Sequence, residues 1–160
     1  MTSMPDMTTA LRHLVWADAR LLSEPIWDVP EALTYATGEG ERTMAELIAH
    51  IVDGAQWYRY CLTAAPMLEI SAPRNRTDVD QLNHELASLN NSLLAQASSA
   101  DEALIVDDGG RELRVTRAMI LAQACYHSTE HRSQIDSALR AGGFTGLDLD
   151  SYDLWTFLDD

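Results

Sequence analysis

The chain has 160 residues, 46% hydrophobic and 22% charged, with a formal net charge of −14; this fits one globular domain over residues 1–160 with its own buried core. All eleven basic residues are arginine against twenty-five acids, a balance that excludes nucleic-acid phosphates and an anionic membrane surface as expected partners. Two cysteines, Cys61 and Cys125, make no disulfide framework, no apolar run reaches spanning length, and residues 1–6 lack signal-peptide character, so a cytoplasmic protein with reduced thiols is expected.

Helical periodicity marks a first segment at about 6–24, where Met7, Leu11, Leu14, Val15, Leu21 and Leu22 recur at three- and four-residue spacings before Pro25. A loop rich in turn residues is expected up to Arg42. A second helix starts at Thr43, because Thr43 and Glu46 have the spacing of a capping box, and runs to about residue 64 ahead of Pro66. Residues 71–76 read as a loop. A third helix at about 77–97 carries Val79, Leu82, Leu86, Leu89 and Leu93 on one stripe. Residues 103–107 and 111–115 flank Asp108-Gly109-Gly110 as a short β-hairpin. Thr116 caps a last helix running to about residue 140, and Gly142-Gly143 ends it. The tail, with Tyr152, Trp155 and Phe157, is expected to pack back onto the helices. The whole reads as all-α: a four-helix bundle with a short hairpin before the last helix.

His127 and His131 lie one turn apart and about 40° apart on the last helix, on the face of Ile120, Ala124, Ile135 and Ala138. Two imidazoles pointing inward need partners, since an unpaired buried polar ring is costly. The i, i+4 spacing lets both converge on one metal ion, although two separately hydrogen-bonded histidines would answer the same need. His50 on the second helix flanks the stripe of Leu47, Ile51, Tyr58 and Leu62, so two adjacent helices could bring a third imidazole to the pair. His13 and His84 fall on outward faces and read as surface residues.

Three blocks carry a family resemblance: Val15-Trp-Ala-Asp-Ala-Arg-Leu-Leu22, Met44-Ala-Glu-Leu-Ile-Ala-His50-Ile-Val-Asp53-Gly54, and His127-Ser-Thr-Glu-His131-Arg-Ser-Gln134-Ile. They are similar to the tryptophan-bearing first helix, the HxxD second helix and the HxxxHRxQ helix of the DinB-like superfamily, which includes the YfiT-type proteins. The resemblance spans nearly the whole chain. It implies an up-down-down-up bundle, one divalent transition metal (zinc or nickel foremost) held by His50, His127 and His131, and a homodimer. It departs from frequent family patterns at Glu130 and Ser133, neither of which is a ligand position.

Around these histidines, Asp18 lies on the apolar face of the first helix. It could orient a ligand histidine or a metal-bound water, or it could cap a neighbouring helix or pair with an arginine. Gln134 could hydrogen-bond near the ligands or bond to backbone. Cys61 and Cys125 read as small core residues. The acidic run 148–153 lacks the glycine and terminal glutamate of a calcium loop. The resemblance points to a metal-dependent enzyme that activates a low-molecular-weight thiol or a water, of thiol-dependent S-transferase type, acting on a small electrophile. The reading from another class is a non-catalytic metal-binding stress-response or binding module; an open coordination position separates the two.

Overall fold

Local capping chemistry sets the helix boundaries. In a computed structural model, which describes residues 6–160, helix α1 spans Met7–Ser23 and is capped by the Asp6 side chain accepting from the Thr9 amide. The expected absence of a signal segment at the N-terminus falls largely on residues 1–5, outside the described residues. Helix α3 (Met44–Thr63) opens with the reciprocal capping box: the Glu46 amide donates to Thr43 Oγ1, and the Thr43 amide donates to Glu46 Oε2. Helix α4 (Arg76–Ala95) is capped by Asn75 and begins one residue earlier than the stripe alone suggests. Strands β1 (Ala103–Asp108) and β2 (Arg111–Thr116) pair antiparallel across Gly109 and Gly110, both at positive φ as the tight turn demands. Thr116 then caps helix α5 (Arg117–Ala141) through the Met119 amide.

Three expectations are corrected. The segment read as loop up to Arg42 contains a 3-10 turn at Pro25–Asp28 and a short helix α2 at Pro30–Thr34, because each proline sits at a first helical position, where its missing N–H costs nothing. Trp27 is fully buried there and donates Nε1–H to the Leu21 carbonyl at 2.7 Å. In the tail, a 3-10 turn (Leu149–Tyr152) and helix α6 (Leu154–Asp159) bury Tyr152 and half-bury Phe157, but Trp155 is 72% exposed. His13 is not a surface residue: the tail covers it, with Nε2 2.7 Å from the Tyr152 carbonyl and the ring packed between Trp16 and Phe157.

Each long helix packs chiefly against two others, α1 against α4 and α5, and α3 against α4 and α5. Among the described residues the chain is mostly helical, with one two-stranded hairpin. No helix among the described residues is long and apolar enough to cross a membrane.

The apolar interior is divided into two clusters. The larger holds Leu21, Trp27, Leu47, Ile51, Leu86 and Ile135; the smaller, toward the hairpin, holds Leu11, Leu14, Tyr58, Leu93, Ile120 and Ala124. Between them runs a polar layer. Asp18, 2% exposed, accepts from Ser128 Oγ and from Asn90 Nδ2 (2.7 Å), and its Oδ1 lies 3.7 Å from Nη1 of Arg132, itself 4% exposed. Burial pushes the Asp18 carboxyl up, while Ser128, Arg132 and Asn90 pull it down. The guanidinium of Arg132 also lies over the Tyr152 ring at 5.3 Å, as does that of Arg20 at 5.3 Å. The tail is thus fastened to the same layer. Replacing Asp18 by Ala strands the Arg132 charge, and unfolding free energy in denaturant titration should fall by about 3 kcal/mol; a loss below about 1 kcal/mol would contradict this pairing.

Candidate metal centre

At the height of the polar layer, α3 and α5 bring three imidazoles together. His50 and His127 are half-buried and His131 is buried. One ring nitrogen from each lies within 4.8 Å of those of the other two. Ring centroids are 5.0 Å apart for His50 and His127, 4.7 Å for His50 and His131, and 4.4 Å for His127 and His131. Nε2 of His50 stands 3.3 Å from Nε2 of His127. Two nitrogens at ~2.05 Å from a tetrahedral ion would be about 3.3 Å apart. The His50–His127 spacing matches that distance, and the three donors together could hold a metal ion.

The position of His127 depends on the residue facing it. A Cβ built at Gly54 would stand 2.4 Å from Cε1 of His127 and 2.9 Å from its Nδ1. No side chain fits there, although glycine inside a helix costs ~0.5–1 kcal/mol relative to alanine. In the sequence Gly54 stands only as part of the block around His50, and its role was missed. The signal was a glycine one turn after a histidine inside a helix.

Two of the rings, His50 and His127, are also held neutral. Burial, with the neighbouring imidazoles and Arg42 adding to it, pushes His127 down to about 4. Burial lowers His50 as well, with Arg42 and His131 in the same sense and Asp53 opposing. Both therefore present lone pairs at neutral pH, which metal binding requires. Nδ1 of His131 lies 2.9 Å from Oε1 of Gln134; that oxygen only accepts, so Nδ1 carries the proton and Nε2 is the nitrogen free to face the cluster. Gln134 thus touches the histidine it was expected to touch. Asp18 does not: its hydrogen bonds go to Ser128 and Asn90, with Arg132 as its charge partner, none of them a cluster histidine.

The remaining candidates stay outside the cluster. Asp53 and Glu130 are exposed. Cys61 and Cys125 are unpaired, and burial pushes both thiols up to about 11, so neither offers a thiolate at neutral pH. His84 is exposed, as expected.

The DinB family model matches residues 4–156, nearly the whole chain. The chain belongs to the DinB family. No curated protein and no solved structure matches it. Within this DinB-family chain two of the three blocks that carry the family resemblance, around His50 and around His127–Gln134, meet in space at the histidines.

Gly54→Ala should displace His127 and weaken divalent-metal affinity by roughly tenfold or more, measured by competition with a chromogenic chelator, while circular dichroism still reports a helical fold. Undiminished affinity in the folded variant would show that His127 does not need this gap.

Proposed function

We propose that this DinB-family protein binds one divalent transition metal, zinc or nickel foremost, through His50, His127 and His131. On this reading the ion serves a transfer reaction in which a low-molecular-weight thiol, or a water, attacks a small electrophile. The observation that carries the reading is the convergence of three imidazoles across two helices, two of them held neutral by burial. A hydrogen bond between His50 and His127 would account for two rings and the Gln134 contact for Nδ1 of the third, but neither occupies Nε2 of His131. A divalent ion held there would lower the pKa of a thiol or water placed beside it.

The protein's own part is positional. Gly54 lets His127 approach α3, and Gln134 fixes the tautomer of His131. His50 borders an open cavity of about 330 Å³ lined also by Glu46, Ala49, Asp53, Glu69 and Ile70. That opening supports a site reachable by a small molecule over a sealed structural one. The packing of the long helices, α1 with α4 and α5 and α3 with α4 and α5, together with the long link between α3 and α4, supports a four-helix bundle running up-down-down-up. We further propose a homodimer in the cytoplasm, as the family resemblance implies.

The test is elemental analysis of the purified protein, paired with thiol binding to metal-loaded and chelator-stripped samples. The expected result is about one divalent ion per chain and thiol binding that disappears with the metal. Stoichiometric metal without any metal-dependent thiol or hydrolytic activity would favour the non-catalytic module. Absence of metal, with full stability in chelator, would sink the metal reading.

A further inference from the structure

Under the hairpin, between the C-terminal half of α3 and the first turns of α5, lies a cavity of about 230 Å³. The strand register pairs Val106 with Leu113, and these residues together with Val115 direct one face of the hairpin at the helices. Ile105, on the opposite face, is 68% exposed. Trp57 and Cys61 of α3 and Met119 of α5 complete the apolar wall, and Met119, 56% exposed, stands at the mouth. Every residue lining the cavity is uncharged.

Two of its lining residues connect it to the histidines. Tyr58 is buried, lines the cavity, and sets its ring perpendicular to that of His127 with centroids 5.7 Å apart. Gln123, beside the Tyr58 hydroxyl, lies one turn before His127 on α5. At ~1.5 Å per residue the cavity therefore extends from about 6 Å to about 12 Å beyond His127 along the helix.

The cavity is half-open rather than an enclosed void, and its volume is large enough for a small ligand. It exceeds the ~150 Å³ that admits a benzene ring in an engineered apolar cavity. A charged group would lose its hydration there without a partner, whereas an alkyl or aromatic group would gain from leaving water.

We propose that this cavity is a binding subsite for the uncharged alkyl or aromatic portion of a small molecule whose polar, reacting end lies at His50, His127 and His131. The inference rests on the metal-dependent reading above for its reacting end, and it deepens that reading by naming the substrate class: amphipathic small molecules with one ring or a short alkyl chain. Phosphorylated and multiply charged compounds are excluded from this end of the site.

The test uses 4-fluorobenzyl alcohol, a neutral single-ring probe, followed by ¹⁹F NMR on the full chain. Saturable broadening is expected in the metal-loaded wild type and equally after treatment with chelator, since side chains and not the metal build the cavity. Leu113→Asp, which places a charge in the wall, and Met119→Trp, which fills the mouth, should each weaken binding roughly tenfold or more. Met119 is largely exposed, so Met119→Trp keeps the test valid if the hairpin variant fails to fold. In the stripped protein the probe should shift the ring-proton resonances of His127 but not those of His84 on the exposed side of α4. No saturable binding, or equal binding in a folded Met119→Trp protein, would overturn the subsite; a probe that binds without touching His127 would overturn its link to the histidines. A protein that holds no metal yet binds the probe next to His127 would retain the subsite and lose only the metal reading.

Discussion

A Cβ at position 54 would overlap the His127 ring, so α3 and α5 can meet at this height only where one of them carries no side chain. Much of the site depends on that contact. It lets an imidazole from the middle of α5 reach the one from α3, and it places His131, one turn further on, against the same ring. The same closeness strips water from the rings and keeps His127 neutral. A glycine that weakens its own helix thus creates the geometry the site needs.

Interrupting a helical core with polar groups demands complete pairing. The Asp18 layer meets that demand with Ser128, Asn90 and Arg132 on two other helices, and the Arg132 guanidinium continues to the Tyr152 ring of the tail. Ser128 and Arg132 adjoin His127 and His131 in sequence. One face of α5 therefore serves the ion pair and another serves the histidines. The layer fixes the rotation of α5, and this rotation aims the imidazoles at α3. Asp18 supports the site through the backbone of α5 rather than through a ligand.

What the sequence made legible was what short range decides. Thr43 and Glu46, or Gly109 and Gly110, state their local structure within four residues, and the apolar stripes located the long helices to within about two residues. The pair His127 and His131 was legible by spacing, and His50 by its face and by family resemblance. What stayed hidden needed partners far along the chain. Asp18 finds Asn90 and Ser128 across 72 and 110 residues, so its periodicity showed burial but not with what. Gly54 looked like an ordinary helical glycine until the ring across from it was placed. His13 faced outward from α1, and only the returning tail, 139 residues away, covered it. Pro25 suggested a loop because proline stops a helix as readily as it starts one. The apolar cavity was invisible for a similar reason, since its walls come from two helices and a hairpin.

The central claim is that three imidazoles share one ion. X-ray absorption spectroscopy of protein loaded with one equivalent of zinc tests it most directly. The account predicts about three imidazole nitrogens at ~2.0–2.1 Å, with an oxygen or an added thiol completing the shell, and loss of that imidazole signature in His50→Ala. A shell of oxygen ligands alone, or one unchanged by His50→Ala, would contradict it.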